Sequence, residues 1–181
     1  MESHINSALS KIDQFHDACG IGFIAESRGN PSRRVLELSF KALQNMQHRG
    51  AIGADEETGD GVGVLVDIPV PFFTGLVKDK FNVQLKPDEI LGIGMVFVPK
   101  HFQKTTEKEI KSACQKLKIN YIGKRKVPVN NSSLGPTALE TCPTILQYFF
   151  SLKSGKIKKV ESRLYLLRKC IENKLNNKHE K

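Results

Sequence analysis

Apolar runs of strand length alternate along this chain with segments whose apolar residues recur at helical spacing. The segments predicted as strands cover residues 20–25, 62–68, 91–98, 119–129 and 144–152. The first three are almost continuously apolar, which is typical of strands covered on both faces. Because strands and helices alternate, the sequence predicts a layered α/β or α+β sandwich. The pattern alone leaves parallel and antiparallel pairing open.

Helix-start signals mark several of the segments between the runs. Ser32 is placed to cap a helix that extends to about Gln47, with Gly50 as its terminator. Thr106 and Glu109 fit a capping box at the start of a second helix. Shorter helical segments are predicted from residue 72 and over 132–141, and a last helix over 160–175.

The length and the cysteine pattern exclude several classes of protein. A chain of 181 residues is typical of one domain, and its apolar runs are too short to cross a membrane. The first eighteen residues lack the continuous apolar core of a signal peptide, so we expect a cytoplasmic protein. The four cysteines, Cys19, Cys114, Cys142 and Cys170, lack the spacing of a zinc site and are expected to be free thiols.

The net charge of +9 raises the question of nucleic-acid binding. The excess of lysine and arginine lies in residues 100–181, on amphipathic segments with few aromatic residues interleaved for base stacking. Positive charge without aromatic residues for base stacking is weak support for nucleic-acid binding, so nucleic acid is not expected as a partner.

Cys19 is the cysteine whose setting points to chemistry. It opens the first apolar run, and Gly20 and Gly22 behind it allow close approach of a ligand to the backbone. A catalytic thiol needs a base, because the reactive form is the thiolate. His16 is the nearest histidine, but it lies on an irregular leader. From the residues alone, a nucleophile and a buried structural thiol both remain open.

Two further motifs occur within 45 residues of Cys19. Arg49 could bind a carboxylate with its planar guanidinium or could simply lie at a helix end. The glycines of residues 59–63 superficially suggest a phosphate loop, but a phosphate loop follows a strand and opens a helix, whereas this stretch opens a strand. We therefore interpret them as a tight corner with close strand packing.

Taken together, these stretches resemble a known family. The segments HDACGIGFIA (16–25), HRGA (48–51) and TGDGVGV (58–64), in that order and spacing, are similar to the start of the glutamate synthase large subunit, a class II glutamine amidotransferase domain. Weaker likeness continues through residues 127–130, Leu134-Gly135 and 161–165.

The resemblance implies an α+β fold of the N-terminal-nucleophile hydrolase type, a four-layer αββα sandwich. It implies that residues 1–18 are a leader, that 19–175 belong to the amidotransferase domain and that 176–181 form a basic polar tail. Removal of the leader would free the α-amino group of Cys19 as the base. Cys19 would then hydrolyse L-glutamine through a thioester, and Arg49 would bind the α-carboxylate of glutamine.

The chain also departs from the family pattern. The asparagine and glycine of the family's oxyanion hole, and an aspartate that binds the amino group of glutamine, are not found within the 181 residues. We therefore expect a fold incomplete at its C-terminal side and no glutaminase turnover by the isolated chain, unless a second polypeptide completes the site. A catalytically inactive remnant or interaction module is the alternative. FMN and the iron–sulfur cluster belong to the family's synthase region, so no cofactor is expected in this chain.

Overall fold

The computed structural model describes residues 20–30, 32–46, 50–59, 61–153, 155 and 157–179. The chain divides into two compact units. The first comprises Met1–Val66 and Ser133–Glu140, and the second comprises Asp67–Ser132 and Thr141–Lys181.

An antiparallel sheet of three strands organises the second unit. The strands are β1 (Glu89–Val98), β2 (Asn120–Lys126) and β3 (Thr144–Lys153), in the order β1-β3-β2. Both neighbours of β3 run antiparallel to it. The structure thus confirms the strands predicted at 91–98, 119–129 and 144–152, and it settles their pairing. It also confirms the mixed helix and sheet content of an α+β fold.

The five α-helices of the described residues are numbered in chain order. They are α1 (Arg33–Asn45), α2 (Val70–Phe81), α3 (Gln103–Leu117), α4 (Pro136–Thr141) and α5 (Ile157–His179), and a short 3-10 turn covers Lys100–Phe102. Helices α3 and α5 contribute to the hydrophobic core of the second unit together with alternate residues of β3. Its members include Leu146, Tyr148, Phe150, Ile110, Ala113 and Leu167.

The opposite face of the sheet is packed by α2. Phe149, the fully buried β3 residue on this face, contacts the rings of Phe73 and Phe81, with centroid separations of 6.2 and 5.8 Å. Phe81 also lies against Gly123 of β2. The central strand is therefore covered on both faces, which explains why β3 is buried almost throughout.

The first unit contains α1 and a loop spanning residues 51–59. Ser32 caps α1 as predicted: its Oγ accepts a hydrogen bond from the Arg34 N–H at 3.2 Å. The helix ends at Asn45 with Met46 as its C-cap, and Gln47 lies outside the described residues. None of the residues of α1 is buried.

The strands predicted at 20–25 and 62–68 are not present, and that prediction was wrong. Both segments are irregular, and most of their apolar side chains are exposed, with Ile21 and Leu65 fully so. Apolar character makes a segment suitable for a strand, but a strand exists only when a neighbour accepts and donates its backbone hydrogen bonds. Within the described residues, the pairing in this region is a single bridge between Ile52 and Gly59.

The capping box assigned to Thr106 and Glu109 was also wrong. Helix α3 begins three residues earlier, at Gln103, and the Thr106 hydroxyl donates to the carbonyl oxygen of Phe102 at 3.0 Å. Thr106 and Glu109 are both buried within the helix. The short helix predicted over 132–141 is confined to α4, and the one from residue 72 is the longer α2.

None of the helices in the described ranges has the length and apolar content that a membrane crossing needs.

Candidate functional site

The two predicted site residues, Cys19 and Arg49, lie outside the described residues, as do His16 and His48. The residues next to Arg49 on its C-terminal side are described. The end of the second motif, Gly50 and Ala51, and the beginning of the third, Thr58 and Gly59, lie at the two ends of one loop. We call residues 51–59 the Asp55 loop, after the side chain at its centre.

Backbone hydrogen bonds close the Asp55 loop on itself. Ile52 and Gly59 form an antiparallel bridge, and the Gly53 N–H donates to the Thr58 carbonyl oxygen at 2.6 Å. The Glu56 N–H donates to the Gly53 carbonyl oxygen at 3.0 Å, and Glu56 adopts a left-handed conformation with φ of 58°. The loop is therefore a tight corner, and residues 53–58 close it rather than the glycines of residues 59–63, where the corner was predicted.

The Asp55 carboxylate accepts hydrogen bonds from within this corner and from a distant segment of the chain. Its Oδ1 accepts from the N–H groups of Thr58 at 2.8 Å and Glu57 at 3.3 Å. Its Oδ2 accepts from the Thr58 hydroxyl at 2.5 Å and from the Thr137 N–H at 3.2 Å. Thr137 lies in α4, 82 residues further along the chain, so one side chain joins two distant segments of the first unit.

These donors also determine the charge state of Asp55. The hydrogen bonds from the Thr58 side chain and backbone hold the pKa of the carboxyl well below its usual value, and Thr137 adds to the effect. Hydrogen bonds donated to the ionised form favour that form. Asp55 is therefore an anion that accepts and does not donate across the ordinary pH range.

Gly135 provides a second point of close approach in the same place. A Cβ atom at this position would lie 2.6 Å from Thr58 Oγ1 and 2.8 Å from both Thr58 N and Glu57 Cβ. Real Cβ atoms do not come so close to their neighbours, so the segment can lie against the loop only because residue 135 is glycine. The weaker motif Leu134-Gly135 and the motif that begins at Thr58 are thus in contact.

Other glycines of the third motif do not match their predicted role. A Cβ at Gly61 or Gly63 would meet nothing within 4 Å, so close strand packing at these two positions was a wrong prediction. At Gly59 a Cβ would lie 3.5 Å from the Ala51 carbonyl oxygen, which is an ordinary contact. The observed corner lies just before the predicted one, and the packing prediction fails because the adjoining segment has no strand beside it.

The sequence reasoning missed Asp55 and Thr137. A local signal was present for Asp55, because an aspartate three residues before a threonine, in a glycine-bearing loop, is a common way to close a turn. The contact with Thr137 had no such signal, since it joins residues far apart in the sequence.

The cysteines of the second unit lack the setting of a nucleophile. Cys114 is 2% exposed, and burial raises the pKa of its thiol to about 11. Cys170 packs beside the core, and Cys142 lies just after the end of α4. Cys114 and Cys170 are thus small packing residues of the core and its border.

A group of ionic side chains on α3 and β2 is an ion-pair network rather than a reaction centre. Glu107 accepts from Lys111 at 2.9 Å and from Lys124 at 2.6 Å, and the Tyr121 hydroxyl lies 3.4 Å from it. The two lysines lower the pKa of Glu107 to about 2. In the part of the chain that the structure describes, no three His, Cys, Asp or Glu side chains are arranged to hold a metal ion.

Comparison with known proteins assigns the chain to a family. The profile of the class-II glutamine amidotransferases matches residues 19–181. The large chain of NADPH-dependent glutamate synthase from Bacillus subtilis is 37% identical over 162 residues, covering 87% of this chain and 10% of that protein. A ferredoxin-dependent glutamate synthase of Arabidopsis thaliana is 38% identical over 169 residues, covering 91% of this chain and 10% of that protein.

The chain thus spans about a tenth of the length of these relatives. The match begins at Cys19, and it includes the Asp55 loop, Gly135 and Thr137. The chain belongs to the class-II glutamine amidotransferases.

Proposed function

We propose that this chain carries the nucleophile of a glutaminase centre, with Cys19 as the attacking residue. The observation that carries the proposal is the family match, which starts at residue 19, the position that the motifs predict for the first residue of a mature chain. Glutamine is the substrate that the family description supports, and the chemistry needs neither a metal nor an organic cofactor.

The reaction follows from a thiol with an amine beside it. After removal of residues 1–18, the free α-amino group of Cys19 takes the thiol proton, directly or through water. The thiolate attacks the side-chain amide carbon of glutamine, and ammonia leaves with the proton that the amine returns. Water then hydrolyses the γ-glutamyl thioester, which releases glutamate and regenerates the thiol.

Arg49 is proposed to bind the α-carboxylate of glutamine. A guanidinium can form two parallel hydrogen bonds to a carboxylate, which fixes the orientation of the substrate as well as its position. Arg49 precedes the Asp55 loop directly in the sequence, separated only by Gly50.

The wider assignment rests on the relatives. Their names identify them as glutamate synthases, so the ammonia is proposed to be used in glutamate synthesis by a synthase portion that binds FMN and an iron–sulfur cluster. That portion, or a second polypeptide, is also proposed to complete the oxyanion hole. The four-layer αββα arrangement belongs to the same proposal, and the antiparallel sheet of the second unit, with α3 and α5 against one face, corresponds to one of its sheets and one of its helical layers.

The test is covalent labelling of the full chain purified from cells that produce it. A glutamine analogue with a diazoketone in place of the side-chain amide should alkylate Cys19, and excess glutamine should slow the alkylation. Because labelling is a single event, it detects a competent nucleophile even where turnover is too slow to measure. Intact mass should show a chain that starts at Cys19.

Peptide mass spectrometry gives the controls. Cys19→Ser should abolish labelling, and Cys114 should stay unmodified because its buried thiol is protonated. A wild-type chain that the analogue leaves unlabelled would refute the nucleophile assignment and favour an inactive remnant.

Arg49 is tested separately. Arg49→Lys keeps the charge but loses the planar pair of donors, so about tenfold more glutamine should be needed to protect Cys19. Arg28→Lys, at an exposed turn of the first unit, is the matched control and should leave protection unchanged. Equal protection in both variants would remove Arg49 from the site without affecting Cys19.

A further inference from the structure

We propose that Asp55 is a positioning residue for the glutamine site, because its carboxylate fixes the Asp55 loop against residues 135–137. This proposal rests on the proposed function, since it assigns the loop a role in presenting glutamine to Cys19. Asp55 itself is not proposed to contact substrate.

The hydrogen bonds separate into a local set and a distant one. The bonds from Glu57 and Thr58 to Asp55 close the turn, together with the bond between the backbones of Gly53 and Thr58. They would be sufficient if the loop had only to turn. The bond from the Thr137 N–H adds nothing to the turn and instead connects the loop to α4. Its effect is to fix where the loop lies.

The glycines give an independent indication of the same contact. Gly135 allows its segment to approach Thr58 more closely than any side chain would permit. Within the loop, a Cβ at Gly53 would lie 3.1 Å from the Thr58 carbonyl oxygen and 3.3 Å from Asp55 Oδ1. Both sides of the contact are therefore built around a close approach that a larger residue would disturb.

The position of the loop explains why a fixed contact would matter. One end continues the motif that contains Arg49, and the other begins the glycine-rich motif at Thr58. Within the loop the Thr58 hydroxyl is hydrogen-bonded to the Asp55 carboxylate, so we assign the loop a contribution to orientation rather than to bond formation. Misplacement of a substrate by about 1 Å can lower a reaction rate about 100-fold, so a side chain that fixes such a loop can control reactivity without touching the substrate.

The chemistry of the carboxylate makes the role testable by a nearly isosteric change. The groups that donate to Asp55 in this contact include three backbone N–H groups and the Thr58 hydroxyl, and the Thr137 side chain also forms a hydrogen bond to it. Asp55→Asn replaces one acceptor oxygen with an NH₂ group, which cannot accept. The hydrogen bonds to that oxygen are then lost, while the side chain keeps nearly the same volume.

The experiment compares two reagents on the full chain. Cys19 is labelled with the diazoketone analogue of glutamine and, separately, with iodoacetamide, which needs no glutamine site. In Asp55→Asn and Gly135→Ala, analogue labelling should slow about 10-fold to 100-fold, while iodoacetamide labelling should stay within about twofold of wild type. Glu56→Gln, a neighbouring carboxylate in the same loop, is the matched control and should behave as wild type with both reagents.

Each other result contradicts the proposal. Analogue labelling at the wild-type rate in both variants would show that the contact does not position the site. An equal loss with both reagents would indicate a merely structural role. Gly135→Ala keeps the test decisive where Asp55→Asn fails to fold. A wild-type chain that reacts with iodoacetamide but not with the analogue would refute the proposed function itself and, with it, this proposal.

Discussion

Replacing Gly123 with alanine should cause a measurable loss of stability in the second unit. Gly123 lies in β2, directly under the Phe81 ring of α2. A Cβ built at this position lies closest to Phe81 Cε1, and it lies 2.7 Å from Cδ1 and 2.9 Å from Cζ. Three atoms of one rigid ring are thus too close, so a small side-chain adjustment cannot relieve the overlap.

The magnitude depends on how far the ring must move. Phe81 packs against Phe149 with 5.8 Å between ring centroids, and displacement of the ring weakens a contact worth about 0.5–1.5 kcal/mol. Overpacking of a filled region costs roughly 1–3 kcal/mol, and the lower chain entropy of alanine in the unfolded state offsets about 0.5–1 kcal/mol. The expected net loss is about 2 kcal/mol, or roughly 4–8 °C in Tm for a chain of this size.

Urea unfolding followed by far-ultraviolet circular dichroism measures this loss. Gly75→Ala is the matched control, because Gly75 is in α2, the same helix as Phe81, and its Cβ would meet nothing within 4 Å. That variant should gain about 0.5–1 kcal/mol from helix propensity. Gly123→Ala combined with Phe81→Leu should lose less than the sum of the two single changes. A free energy of unfolding for Gly123→Ala within about 0.5 kcal/mol of wild type would refute the packing argument.

Three further predictions concern the core and its border. Among the described residues the buried Tyr148 hydroxyl has no hydrogen-bond partner, so Tyr148→Phe should be neutral or stabilise by up to about 1 kcal/mol in urea unfolding; a loss above that size would contradict it. The pKa of Glu107 is lowered to about 2 by Lys111 and Lys124, so its stabilisation is complete above about pH 4.5 and is lost as the pH falls toward 2. Glu107→Gln should remove about 1 kcal/mol of the change in the free energy of unfolding across that pH window. The figure allows for solvent screening, because the Glu107 side chain is 24% exposed. Cys114, with a pKa near 11, should resist iodoacetamide at pH 7.5 until the chain is unfolded, and rapid labelling of the native chain would show that the thiol is accessible.

Local sequence patterns predicted the secondary structure of those segments that pack against other helices or strands. Strand β3 and helices α3 and α5 bury one face or both, so their apolar periodicity records the packing directly. The segments 20–25 and 62–68 show the limit of this reasoning. They have equally apolar sequences, but a strand depends on a partner that is not encoded in the segment itself. The prediction of a helix start at Thr106 was wrong for a related reason, since the residues of a capping box can also occur inside a helix.

The prediction of the candidate site rests on chemistry and not on geometry. Cys19 and Arg49 were singled out by the type of residue and by motif spacing, and they stay predictions because their placement lies outside the described residues. Asp55 could have been found as a turn aspartate, but its bond to Thr137 joins positions 82 residues apart. Such a contact is set by tertiary structure, and a single sequence contains no periodicity that reports it.

The base that activates Cys19 can be identified from the pH dependence of labelling. A free α-amino group has an ordinary pKa of about 7.7–8.0 and must be neutral to accept the thiol proton, so the rate should fall about tenfold per unit below that pH. His16, the alternative base in a chain that keeps its leader, has an ordinary pKa of about 6.5 and would sustain labelling through neutral pH. The proposed processing would remove His16, so in a mature chain His16→Ala should change neither the rate nor the pH midpoint. A midpoint near 6.5 that disappears in His16→Ala would refute the role of the amino group, and intact mass would then show the leader in place.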